Sequence, residues 1–247
     1  SDIEFTTEKN NKSWILFFGD SNTASDGVSN NERFSELVGN HFNAEVYNYG
    51  LSGSGTDQQY LIWKKYAQNV KADLIVLCVL VENIERNKVA YRQTINPHTK
   101  NLSLTPKPYF DYIKDELVLK NSPVPRVEDN FLPKSNNMIQ WAVPKGQEFI
   151  YTLVNLWRKS NIFKPIRENF EESLTKFRAT LISNFYQPYP DYKNHNSKGF
   201  ILTQKILNKF INDLSPTPVI ILPIPTYHYY VDGAKPIYNN FFDFFEN

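Results

Sequence analysis

The chain has 247 residues, 41% of them hydrophobic and 21% charged, with a single cysteine and a formal net charge of +1. A chain of this length buries roughly three quarters of its unfolded surface, so it can fold as one globular domain without metal or disulfide staples; disorder and a cystine scaffold are excluded. With 27 basic against 26 acidic side chains, no global field collects nucleic acid or anionic lipid, and neutral or weakly charged substrates fit better.

No segment reaches the roughly 18 to 20 continuous apolar residues of a membrane span. The opening SDIEFTTEKNNKS is polar and does not read as a signal peptide. The chain as given therefore reads as soluble; it starts without Met, which leaves room for a removed leader or anchor, and its compartment is open. Cys78 lies inside an apolar run and reads as a buried, inert thiol.

The first strong element is Trp14 to Phe18, a short apolar run that ends at Gly19, as a buried strand bounded by a turn should. After a polar loop, Glu32 to Phe42 places Phe34, Leu37, Val38 and Phe42 at helical spacing, predicting a helix packed on that strand. Ala44 to Tyr49 reads as a second strand, and a glycine-rich turn follows, then a helix over Gln58 to Asn69. Asp73 to Val81 is nearly continuous aliphatic sequence, the mark of a parallel strand covered on both faces. Strand, helix, strand, helix, strand predicts an α/β sheet with right-handed crossovers.

From Lys88 to Gly146 the alternation lapses into Pro, Asn and aromatic residues, too long for a plain connection, and we read 88–146 as an inserted cap or lid within a single domain spanning 1–247. Inside it, Tyr112 to Lys120 predicts a small hairpin centred on Lys114 and Asp115. Tyr91, Tyr109, Phe110, Tyr112 and Trp141 either form a satellite core or offer faces for sugar rings, the former being the more common arrangement. Lys88, Arg92 and Lys100 form no dense patch and read as solvated. Helical patterns return over Glu148 to Trp157, Glu168 to Phe185 and Gly199 to Leu214. Val219 to Leu222 reads as a fourth core strand, and Lys235 to Asn247 as the start of another helix.

In an open α/β sheet, ligands sit beyond the carboxyl ends of the strands. Three loops leave such ends with unusual sequences: FFGDSNT, NYGLSGSGTDQ and VENIERN. Singly each is weak, but their order and spacing resemble the SGNH or GDSL hydrolase family of esterases, lipases and carbohydrate deacetylases. The resemblance runs from Trp14 to Asn87 at motif level and more loosely to Pro225. It implies a three-layer α/β/α fold with a mainly parallel central sheet, and Ser21 as nucleophile at a tight strand-to-loop turn; a helix-capping serine is the bland alternative. It also implies that the oxyanion is held by the Ser21 N–H, a glycine N–H at Gly53, with Gly50 competing, and the Asn83 amide. The third motif departs from the family's Gly-x-Asn-Asp, reading Val81-Glu82-Asn83-Ile84, so Asn83 is assigned from its place after the strand; Glu82 is either a local partner or a solvated carboxylate.

The family's Asp-x-x-His block and its fifth strand are absent from this sequence. His41 falls in the first helix, His98 in the insertion and His195 in a polar loop; only His228 follows a core strand. The simplest expectation is that the sequence stops before its catalytic His and Asp, with a degenerate non-hydrolytic domain and replacement of the base by His228 as the other readings. No His-x-x-x-His or Cys pair points to a metal, and Gly50, Gly53 and Gly55 do not fit a dinucleotide loop, so no cofactor is expected. The expected partner is a small-molecule or glycan acyl ester; the expected activity is ester hydrolysis or O-acyl transfer, with an inactive scaffold or binding domain as the rival.

Overall fold

The computed structural model describes residues 11–95, 102–125, 187–230 and 234–245. Within them the strands, in chain order, are β1 (Trp14–Gly19), β2 (Glu45–Gly50), β3 (Leu74–Leu80), β4 (Tyr91–Ile95), β5 (Leu102–Pro106), β6 (Tyr109–Ile113), β7 (Glu116–Lys120) and β8 (Val219–Ile224). The helices are α1 (Ser21–Ala24), α2 (Phe34–Phe42), α3 (Thr56–Ile62), α4 (Asn83–Arg86), α5 (Lys198–Leu214), α6 (Tyr227–Tyr230) and α7 (Asn239–Phe242). The expected helices over Glu148 to Trp157 and Glu168 to Phe185, together with His98, Lys100 and Trp141, lie outside the described residues.

The unbroken apolar runs of β1 and β3 are buried on both faces because they are the inner strands of a four-stranded, wholly parallel sheet of order β2-β1-β3-β8. Alternate β1 side chains feed opposite layers. Ile15 and Phe17 join Val76, Cys78 and the α2 residues Phe34 and Val38, whereas Trp14, Leu16 and Phe18 join Tyr60 of α3 and Phe200, Ile206 and Phe210 of α5. The result is the expected α/β/α arrangement. Ser197 accepts the N–H of Phe200 and so caps α5, whose buried Thr203, Leu207, Phe210 and Leu214 recur at the helical period.

Several elements differ from the sequence expectation. The helix starts at Phe34 because Arg33 is extended and only one turn of 3-10 helix, Asn30–Glu32, precedes it. Leu37 and Phe42 do not pack on the sheet; they are 55% and 68% exposed, so the apolar stripe is narrower than its spacing suggested. The second helix begins two residues early, at Thr56, and continues as a π-helical stretch, Trp63–Ala67. The hairpin is longer than expected, pairing β6 with β7 from Tyr109 to Lys120, and its turn is Lys114-Asp115, both with positive φ as a two-residue turn of the primed type demands. A further hairpin, β4 with β5, lies where no regular structure was expected. Phe110 is not a sugar platform: it is 5% exposed and its ring centroid lies 5.7 Å from that of Tyr60 in the main core. The fourth core strand runs two residues further than expected, to Ile224. Among the described residues β8 is the outermost strand on its side, and its Ile220 and Leu222 are exposed.

Candidate functional site

Chain reversal after β1 is organised by Asp20. Its side chain accepts the N–H of Asn22 at 3.0 Å and the Asn22 amide at 3.2 Å, which caps the single turn of α1. The capping role therefore belongs to Asp20, and Ser21 is the first residue of the turn. Ser21 is partly exposed, and among the described residues neither its hydroxyl nor its N–H has a hydrogen-bond partner; only its carbonyl is engaged, by Ser25 at 2.8 Å. A first-turn N–H has no acceptor within its own helix, so it is available to an incoming oxygen.

The loop after β2 folds directly onto this turn. Leu51 N–H and the Ser54 hydroxyl both donate to the Gly19 carbonyl, at 3.0 and 3.2 Å, and the Ser52 hydroxyl donates to Asp26. Ser54 N–H returns to the Leu51 carbonyl at 3.0 Å, closing a β-turn whose third residue, Gly53, has φ +74°. That value requires glycine in a type II turn. Gly53 N–H has no partner among the described residues, whereas Gly50 N–H is committed to the Asn48 side chain at 2.9 Å. Of the two glycine N–H groups, that of Gly50 is thus engaged and that of Gly53 is open. Gly50 serves instead as a contact surface: a Cβ there would lie 2.3 Å from Ala24 N.

Asn83 opens α4 directly beyond β3 and is completely buried, its amide nitrogen 3.4 Å from the Thr56 hydroxyl and its oxygen without a partner. The structure thus places Asn83 against the start of α3, with no atom reaching solvent. The 3.4 Å contact is at the long limit of hydrogen bonding, so the amide is only weakly committed.

Four features escaped or departed from the sequence reading. Arg86 donates from one nitrogen to Asp20 Oδ2 at 3.0 Å and to the Ser54 carbonyl at 3.2 Å, and from Nε to Glu82 Oε1 at 3.2 Å. Glu82 is therefore a local partner and not a solvated carboxylate. Lys107 and Asp57 form an ion pair of 2.5 Å whose side chains are 4% and 0% exposed. Burial pushes the Asp57 carboxyl above its ordinary range, while Lys107 pulls it partly back. Lys88, expected to be solvated, is paired with Glu85 at 2.8 Å and Asp191 at 2.7 Å. Arg92 also departs from expectation: its guanidinium donates to the Ser52 carbonyl and lies over Gly53. A cation three residues beyond Asn83 and an acid two residues beyond Gly55 were the only sequence hints of these contacts.

No histidine partners the Ser21 hydroxyl among the described residues. His41 sits in the last turn of α2, and His195 stacks on Phe200 at 4.6 Å between ring centroids. His228 lies in α6 beyond β8, against Tyr227 and Tyr189. Cys78 is completely buried, and its thiol is pushed up to about 11 by that burial. Among the described residues there is no cluster of potential metal ligands, and no helix is long and apolar enough to cross a membrane.

No family model and no curated protein matches the chain. Among solved structures, it is similar to AlinE4, an SGNH-hydrolase family esterase, at 26% identity over 32% of this chain and 46% of that one, with a TM-score of 0.27. It is also similar to a member of the lipolytic G-D-S-L family from Veillonella parvula, at 23% identity over 30% and 43%, with a TM-score of 0.27. The match spans less than half the length of either structure, and at that overlap the function has to be argued from the site itself.

Proposed function

We propose that this chain is a serine esterase or deacylase of the SGNH type, acting on an O-acyl ester through an acyl-enzyme on Ser21. The observation that carries the reading is the division of labour at the first turn: Asp20 caps it, so Ser21 keeps a free hydroxyl and a free N–H beside a second loop whose Gly53 N–H is also free. In the reaction Ser21 Oγ bonds to the ester carbonyl carbon as its proton passes to a base, and the carbonyl oxygen takes the negative charge. That oxygen is received by the N–H groups of Ser21 and Gly53, and by the Asn83 amide once it leaves Thr56. Collapse expels the alcohol, which takes up the proton, and water or an acceptor hydroxyl then releases the acyl group. No base is bonded to Ser21 among the described residues. In this reading residues 1–247 work as one domain with 88–146 as an inserted cap, and an acylated carbohydrate is one candidate substrate.

The test is hydrolysis of a small acetyl ester by the parent chain, Ser21→Ala and Asn83→Ala. Loss of one oxyanion donor costs roughly 10²- to 10³-fold in turnover, and loss of Ser21 should cost more. Equal rates from the parent and Ser21→Ala would overturn the reading. Product analysis with and without a sugar acceptor separates hydrolase from transferase. The absence of a histidine partner for Ser21 among the described residues favours a second reading, an inactive SGNH-like binding domain. That alternative predicts that a fluorophosphonate leaves Ser21 unmodified.

A further inference from the structure

We infer that Arg86 is the positioning residue of the site, a single guanidinium that sets Ser21 by joining the three loops beyond β1, β2 and β3; the inference rests on the esterase reading above. Its acceptors are the Asp20 carboxylate in the first loop, the Ser54 carbonyl in the second and the Glu82 carboxylate in the third, all within 3.2 Å. The carboxylate that takes Arg86 on one oxygen takes the Asn22 N–H on the other. Displacing the arginine therefore loosens the turn that presents Ser21.

Charge makes the link more than mechanical. The Asp20 side chain is completely buried and the Arg86 side chain is 20% exposed. A buried carboxylate without a counter-ion is strongly disfavoured. In the esterase reading it would also sit one residue from the place where the oxyanion forms, opposing that negative charge. Arg86 neutralises it. A planar fork can serve acceptors in different directions, whereas the ammonium of lysine is a point charge on a flexible stem. Arg86→Lys therefore keeps the charge and loses the geometry.

The experiment uses the whole chain and two readouts. Amide hydrogen exchange follows the N–H groups of Asn22, Ala24 and Ser25, bonded to Asp20 Oδ1, the Asp20 carbonyl and the Ser21 carbonyl. In Arg86→Lys these three should exchange at least about tenfold faster while α5 amides, which report global opening, keep their rates. Steady-state ester hydrolysis by the same variant should show kcat lowered by roughly 10- to 100-fold with KM within about twofold, as expected of a nucleophile displaced by a fraction of an ångström to an ångström. Arg86→Gln combined with Asp20→Asn removes both charges and should regain part of the kcat lost by Arg86→Gln alone. Unchanged exchange at the three amides in Arg86→Lys overturns the inference, whether or not the protein is an esterase. If exchange quickens but the parent shows no Ser21-dependent turnover, the positioning link stands and the esterase reading falls.

Discussion

Replacing Lys107 by Met removes one half of the buried ion pair at nearly constant volume and leaves Asp57 with no counter-ion. At 2.5 Å and an effective dielectric of about 20, the mutual attraction is about 7 kcal/mol, from which the desolvation of both ions takes several kcal/mol per ion. The pair is therefore worth little in net terms, yet breaking it is costly: loss of one partner of such a pair destabilises by about 3 to 5 kcal/mol. For a chain of this size that corresponds to a Tm lower by roughly 6 to 20 °C. Because Asp57 has a raised carboxyl pKa in the fold, the folded state holds that proton more tightly than the unfolded chain. Its stabilising contribution is whole below the unfolded value of 3.8 and is lost as pH rises through the raised folded one. Without Lys107 the pKa climbs further, so the penalty, measured as variant minus parent, is largest at neutral pH and shrinks as pH falls toward 3.8. Urea unfolding of parent, Lys107→Met and Lys107→Met/Asp57→Leu at several pH values measures it, the double variant recovering most of the loss. A single-variant loss below about 1 kcal/mol at pH 7, or a penalty that grows on acidification, would refute the argument.

Gly53→Ala forces a side chain into φ +74° and sets a methyl 2.9 Å from Arg92 Nε; it should cost at least about 1 to 2 kcal/mol in chemical denaturation and lower ester turnover. Cys78, completely buried and with its thiol pushed up to about 11, should resist iodoacetamide at pH 8 in the native protein and react in denaturant; mass spectrometry reads both states, and full native labelling within minutes would contradict that burial. Phe210→Ala empties a position between Phe18, Tyr60 and Trp63 and should cost about 3 to 5 kcal/mol by urea unfolding.

The sheet was legible because its inner strands carry their own signature: no polar residue interrupts Trp14 to Phe18 or Leu74 to Leu80, and two covered faces demand that pattern. The Lys114-Asp115 turn was legible from local chemistry, since polar residues between two apolar stretches mark a hairpin. What sequence could not supply was pairing at a distance. Arg86 and Asp20 are separated by 66 residues, and Lys107 and Asp57 by 50, so no periodicity announces either contact. Leu37 and Phe42 show the opposite failure: helical spacing identified a stripe but not which of its residues the sheet would cover. The same holds at the site, where the FFGDSNT motif marked Ser21 but only the fold shows that Asp20 relieves it of capping.

The outer rim of β8 has a practical consequence. A strand with Ile220 and Leu222 turned to water invites rim-to-rim self-association in concentrated solution. Pro223, one position before the strand ends, has no N–H to contribute and shortens any ladder that could be added there. Charged substitutions at 220 or 222 are thus a rational route to a better-behaved preparation.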